Sequence, residues 1–212
     1  MVSSNSVARL GLYRRLLEEL RKGGVQYIFS HQLAPLSNVT AAQVRRDVMP
    51  LGCSGNPAKG YAVAELSESI GQLLDAPEGE RVALVGVGNL GRAIISYVAG
   101  RRPGLAIVAA FDTDAAMAGR VIHGCRCYHL DELPEVVEAE GITVGIITVP
   151  AAAAQAVADR LLRAGVRGIL NFAPTRLRVP AEVTVEDLDV TLALEKVAFL
   201  ARQRQGRKPV WK

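Results

Sequence analysis

The sequence predicts an α/β protein in two parts, a helical N-terminal module and then a doubly wound parallel sheet. Three observations predict it. Apolar residues recur at helical spacing through the first third of the chain, broken by turn-forming residues. Short apolar runs then alternate with helical stretches. The first of those runs leads into Gly86-Val87-Gly88-Asn89-Leu90-Gly91. Composition agrees: 212 residues, 50% apolar, 22% charged and 5% aromatic, describe a folded chain and exclude disorder or collagen-like repeats. No apolar run reaches the roughly 18 residues needed to span a bilayer, so no membrane partner is expected. Residues 1–6 lack the layout of a secretory signal. Cys53, Cys125 and Cys127 make an odd count with no CxxC pair, so neither a disulfide framework nor a zinc site can be read from them. Unpaired thiols in a reducing cytoplasm are the expectation.

Charge is uneven. Residues 1–62 hold eight Lys or Arg against three acids, whereas residues 79–175 hold nine of each sign. The last stretch, 176–212, has eight basic residues against five acids and ends in Arg202, Arg204, Arg207, Lys208 and Lys212. A basic N-terminal module suggests a polyanionic partner.

In chain order, Val7, Leu10, Leu16, Leu17 and Leu20 predict a helix over 6–22, stopped by Gly23-Gly24. A shorter helix opens at Ser30 and carries Leu33, Ala34 and Leu36. Ser37-Asn38-Val39 is a turn, and Thr40 stands where a helix N-cap belongs, ahead of a helix over 41–49. This is the pattern of a helix-turn-helix. Small Ala34 lets the two helices approach, while Val39 and Val44 fill the angle between them. Thr40, Ala41, Gln43, Arg45 and Arg46 are left to face a major groove, where Gln and Arg can read base edges and Thr or Arg can grip phosphates. The bland reading is a small helical subdomain with a solvated Arg pair. Residues 51–61, rich in Gly, Ser, Asn and Pro, predict a hairpin wing with Lys59 near its tip. Val63, Leu66, Ile70, Leu73 and Leu74 form one more amphipathic helix before a linker at 76–80.

The second module opens with a strand over 81–85, the glycine string, a helix over 92–98, and a strand over 105–111 ending in Asp112. A lone GxGxxG is weak, but here strand, helix and acid stand where a dinucleotide-binding (Rossmann) unit needs them. Gly86 makes the tight turn, Gly88 admits a pyrophosphate to the backbone, and Gly91 lets helix and strand pack closely. Val87, Asn89 and Leu90 complete the loop. Asp112 can accept from ribose hydroxyls and repels a 2′-phosphate, favouring NADH and NAD⁺ over their phosphorylated forms. A structural glycine turn, another adenine nucleotide and coenzyme A remain as alternatives. Further strands over 144–149, 168–172 and 183–185, with a helix over 151–164, extend the parallel sheet. Thr148, Val149, Pro150 and Asn171 then fall at the carboxyl ends of strands, near the nicotinamide. A last helix, 189–204, presents Leu192, Leu194, Val197, Ala198 and Leu200, and packs on its own domain or on a partner chain.

Chemistry on the cofactor is not expected. An NAD-dependent oxidoreductase needs a positioned proton donor, commonly His with Asp or Tyr with Lys. His31, His123 and His129 are poorly placed, and Tyr97 is followed four residues later by Arg101.

The chain resembles the Rex family of redox-sensing transcriptional repressors over nearly its whole length. The resemblance rests on the strings 13–20, 39–47 and 85–91, on Gly60-Tyr61, on Phe111-Asp112 with Asp114, on Thr148-Val149-Pro150, and on the string 169–174. It implies a homodimer bound to an inverted-repeat operator in double-stranded DNA when NAD⁺ dominates, and released by NADH. It implies a winged helix over 1–78, a Rossmann domain over 79–187, and a swapped C-terminal helix with a basic tail over 188–212. It also implies that Tyr97 and Val190 border the nicotinamide, and that Asp189 switches between Tyr97 and Arg15. The family pattern has a basic-Gly-Val-Gly wing where this chain has Asn56-Pro57-Ala58-Lys59-Gly60. It has an aromatic at Val190 and an Arg at Ala151.

Overall fold

A computed structural model describes residues 3–101 and 104–204, which form two compact units meeting between Pro77 and Glu78. Arg207, Lys208 and Lys212 of the basic tail lie outside the described residues.

In the first unit, helix α1 (Ser4–Lys22) begins where the Ser3 hydroxyl accepts from the Ser6 amide. It buries Leu10, Tyr13, Arg14 and Leu17, one face of a 3.6-residue period. Strand β1 (Tyr27–Ile28) leads into α2 (Ser30–Leu36) and α3 (Ala41–Val48). As expected of a cap, the Thr40 hydroxyl accepts from the Gln43 amide at 3.1 Å. Ala34 and Val44 are buried and Val39 packs against the same core. Strand β2 (Tyr61–Ala62) pairs antiparallel with β1, and α4 (Val63–Leu74) closes the unit on Val63, Leu66 and Ile70.

The wing differs from the hairpin expected over 51–61. A 3-10 turn over Met49–Leu51 follows α3, and the only bridge within the segment joins Asn56 to Gly60. Asn56 explains it, because its side-chain carbonyl accepts from the amides of Ala58 and Lys59 and folds the chain into a tight local turn. Residues 51–55 offer no alternation of β-branched side chains, so β2 pairs with β1 instead. Gly60, at φ 83°, sits so close to the Ile28 carbonyl that a Cβ would overlap it.

In the second unit, β3 (Glu80–Val85), α5 (Asn89–Val98) and β4 (Leu105–Asp112) form the first βαβ. Two strands that sequence reading missed come next, β5 (Val121–Ile122) and β6 (Cys125–His129). They form an antiparallel hairpin through His123-Gly124, both at positive φ, as a two-residue primed turn requires. A 3-10 turn over Leu130–Glu132, capped by His129, runs into the equally unforeseen α6 (Leu133–Ala139). Strand β7 (Val144–Ile147), helix α7 (Ala151–Arg163), strands β8 (Gly168–Asn171) and β9 (Thr184–Asp187) and helix α8 (Val190–Arg204) complete the chain. The sheet order is β5-β6-β4-β3-β7-β8-β9, parallel throughout except for β5 on β6. Central β3 is buried on both faces: Ala83 and Val85 meet the core under α6 and α7, Val82 and Leu84 that under α5. Strand order reverses beside β3, leaving a crevice at the carboxyl ends of β3 and β7. Among the described residues no helix is long and apolar enough to cross a membrane.

Candidate functional site

The crevice holds the glycine loop. Gly86, at φ 101°, passes so close to β7 that a Cβ would stand 2.8 Å from both the Thr148 carbonyl and Val149 Cγ1. At Gly91 a Cβ would overlap the Gly86 carbonyl, so only glycine lets the first turn of α5 lie on the loop. Gly88 differs: nothing lies within 4 Å of an added Cβ, leaving the N-terminus of α5 open to an anion. Asn89 and Leu90 open that helix and are exposed.

Asp112 does more than face the crevice. Its Oδ2 accepts from the Val87 amide at 2.7 Å and its Oδ1 from the Asp114 amide at 3.0 Å, so the acid also fixes the glycine loop. Each oxygen keeps a further lone-pair direction for a ligand hydroxyl. The Thr148 hydroxyl lies 2.7 Å from the Gly86 carbonyl and 3.0 Å from that of Val85, clasping β7 to β3. Gly86, Gly88, Asp112, Thr148, Val149 and Pro150 line one cavity of about 430 Å³, within the usual range for small-molecule sites. Its opposite wall is Leu130, Ala153, Ala156, Val157 and Arg160, none of them foreseen. The spacing of 153, 156, 157 and 160 along one helix face was the available signal. Arg160 is held by Asp131 at 2.9 Å.

Other expected residues stand apart from this cavity. Asn171 is buried, and its amide donates to the Thr175 carbonyl and to Asp187, each at 2.8 Å, while its oxygen accepts from the Ala173 amide. It shapes the 172–175 loop. Tyr97 is exposed, with the Arg101 guanidinium 3.9 Å from its ring centroid. Asp189 caps α8 through the Leu192 amide at 3.0 Å, and Val190 is 70% exposed.

On the first unit, Thr40, Arg45 and Arg46 are exposed, and Ala41 and Gln43 half-buried. Arg45 donates to the Ser30 hydroxyl, and Arg46 to the Gln43 side-chain carbonyl. Lys59 sits at the wing turn with its ammonium 5.4 Å from the Tyr27 ring centroid. Arg15 is exposed on α1. Sequence reading missed what braces this helix. Asp47, 5% exposed, accepts from Arg9 Nε at 2.6 Å, Arg9 Nη2 at 2.7 Å, the Tyr13 hydroxyl at 2.9 Å and Gln43 at 2.9 Å. Burial alone would raise its pKa, but the bonds from Arg9, Tyr13 and Gln43 outweigh it and hold the carboxyl below its ordinary value. Burial and the bond to Asp47 push the Tyr13 phenol up.

Known proteins resemble the chain in both units. A family model described as a CoA binding domain matches residues 78–175, and one described as a putative DNA-binding protein N-terminus matches residues 1–48. The redox-sensing transcriptional repressor Rex of Streptomyces avermitilis is 39% identical, over 96% of this chain and 81% of that protein. Rex of Carboxydothermus hydrogenoformans is 41% identical, over 93% and 95%. Among solved structures, RSP, a Rex-family repressor, matches with a TM-score of 0.87 at 32% identity, over 97% of each chain. RSP in complex with β-NAD⁺ and operator DNA matches at 0.86 and 32% identity, over 99% of each chain, and RSP with β-NADH at 0.84 and 32% identity, over 97% and 96%. With relatives this similar along almost its full length, the chain belongs to the Rex family of redox-sensing transcriptional repressors.

Proposed function

We propose that this protein is a repressor that reads the NADH/NAD⁺ balance, held on operator DNA when NAD⁺ dominates and released by NADH. The observation that carries it is the match over 99% of the chain to a relative solved with β-NAD⁺ and operator DNA, joined to an open glycine cradle at Gly88 backed by Asp112. Residues 1–78 take the DNA, with Thr40, Ala41, Gln43, Arg45 and Arg46 on the reading face and Lys59 on the wing. Residues 79–187 take the dinucleotide. Gly86, Val87, Gly88, Asn89, Leu90 and Gly91 would hold the pyrophosphate and Asp112 the ribose. Thr148, Val149 and Pro150 form the wall, and Asn171 orders the loop beside it. Residues 188–212 carry the C-terminal helix and the basic tail, and the helix, Val190–Arg204, joins two copies. Val190, Leu192, Leu194, Val197 and Phe199 are each more than half exposed, an apolar area that a second subunit would cover. The protein works where its DNA is, in the cytoplasm.

Control must come from contacts that differ between the two redox forms, since oxidised nicotinamide is a cation and the reduced ring is neutral. In this reading Asp189 pairs with Tyr97 in the NADH state and with Arg15 in the DNA-binding state, and Val190 borders the ring. Arg101 is stacked on the Tyr97 ring that this carboxylate would reach. The test is operator affinity with saturating NAD⁺ and with saturating NADH, in wild type and Asp189→Asn. Asparagine keeps a cap for Leu192 while removing the charge. The reading expects NADH to weaken operator binding in wild type, and the variant to bind NADH normally yet stay on DNA. Equal operator affinity with both forms in the wild type contradicts it. A second reading, that the crevice takes another adenine nucleotide such as coenzyme A, has the family description in its favour. Displacement of NADH by coenzyme A decides between them.

A further inference from the structure

The dinucleotide reading leaves Cys125 and Cys127 unused. They lie two residues apart on β6, so both side chains point to one face of the sheet, and exposed Arg126 points to the other. Strand spacing sets their Cα atoms about 6–7 Å apart. Both thiols are free and buried, at 3% and 0% exposure, and Met117, at 7%, packs in the same cluster under α5. Buried among apolar side chains, the resting pair is inert. Among the described residues no group of three or more His, Cys, Asp or Glu, the donors of a zinc-type site, is placed to hold a metal. Two thiols and a thioether in one apolar cluster supply the kind of ligands that a soft monovalent ion prefers.

We propose that Cys125 and Cys127, with Met117 of the same buried cluster, form a binding site for Cu(I). Two S–H bonds break and two Cu–S bonds form, both protons leave to solvent, and no electron is transferred. The product carries one net negative charge. Arg92 stands ready to balance it, with Nη2 3.9 Å from the Met117 sulfur.

The same arginine links this cluster to the crevice. Arg92 Nε donates to the Val87 carbonyl at 2.9 Å, and the Val87 amide donates to Asp112 at 2.7 Å. On the paired strands β4 and β6, Ala110 stands opposite Cys127 and Asp112 opposite His129, so the carboxylate lies two residues along the sheet from the thiol's partner. A fixed negative charge on the sulfurs therefore repels Asp112 and competes for Arg92, the two groups that hold the glycine loop. Copper occupancy weakens dinucleotide binding. This coupling rests on the dinucleotide reading, whereas the copper site itself does not.

The test uses reduced full-length protein carrying Cys53→Ser, which removes the third thiol, titrated anaerobically with Cu(I) against bicinchoninate. One Cu(I) per chain is expected, with thiolate-to-Cu(I) charge-transfer absorption in the ultraviolet. Cys125→Ala and Cys127→Ala should each abolish retention against the competitor, and Met117→Leu should lower affinity about tenfold. NADH affinity should fall at least about fivefold on copper loading and recover when the chelator is in excess. Failure of the Cys53→Ser protein to retain Cu(I), or unchanged retention in both folded alanine variants, overturns the site. Copper retention with NADH affinity unaltered overturns the coupling alone. Absence of NADH binding before any copper is added overturns the dinucleotide reading, and with it the coupling, while the copper titration still decides the site.

Discussion

The Asp112 carboxylate accepts from the Val87 amide at 2.7 Å, so the acid at the end of β4 also holds the glycine loop at the end of β3. One side chain thus sets both the shape of the cradle and the charge beside it. Replacing it removes a charge-assisted bond worth about 1.5–3 kcal/mol, or roughly a 10- to 150-fold loss in NADH affinity for Asp112→Ala. Asp112→Asn keeps an acceptor for Val87 and should fall between, with weaker rejection of NADPH. Calorimetry with both nucleotides checks this, and operator binding without cofactor should not change.

Two glycines three residues apart should fail differently. Gly91→Ala forces a methyl into the Gly86 carbonyl and should destabilise the second unit by about 1–3 kcal/mol, seen as a lower melting temperature. Gly88→Ala meets open space and should leave stability within about 0.5 kcal/mol of wild type. It should still cost NADH affinity about tenfold or more, because the methyl fills the anion's approach to the helix N-terminus. Equal melting temperatures for the two variants contradict this.

Arg45→Ala and Arg46→Ala should each weaken operator binding. A base-reading arginine contributes about 1–3 kcal/mol of discrimination, whereas a phosphate contact lowers affinity for all sequences and reduces the salt slope by about one. Operator anisotropy at several salt concentrations separates the two roles. Unchanged affinity in both variants removes α3 from the DNA.

Asp47 is depressed below its ordinary pKa in the folded protein, so its contribution is present at neutral pH and lost as acid protonates it. The urea midpoint of the first unit should therefore fall as pH drops from about 5 towards 3, on either side of the ordinary carboxylate value of about 3.9. Asp47→Asn should lose about 1–3 kcal/mol of stability at pH 7, seen as a lower midpoint, and show a flatter dependence on pH. Parallel pH profiles for the two proteins contradict this role.

Much of the second unit was legible because β3 and β7 are buried central strands that read as unbroken apolar runs, and because Gly86 and Gly91 occupy positions no other residue fits. The β5–β6 hairpin was not. Its strand β5 has two residues, and the apolar side of β6 is written in cysteine. Helix α6 is short and carries Pro134 in its first turn, which hides the period. The wing misled because Asn56 makes a local turn whose chemistry is also that of a hairpin. The brace from Arg9 to Asp47 spans 38 residues, and the Arg92 link to Val87 depends on how the loop folds back. Neither is a property of any local window.

The most direct test of the account is the fraction of labelled inverted-repeat operator bound as the NADH:NAD⁺ ratio is raised at constant total dinucleotide. Opposed effects of the two forms predict full occupancy at low ratio, release as the ratio climbs, and no release in Asp112→Ala over the same range. An occupancy that stays flat while both nucleotides bind, or that rises with NADH, contradicts it.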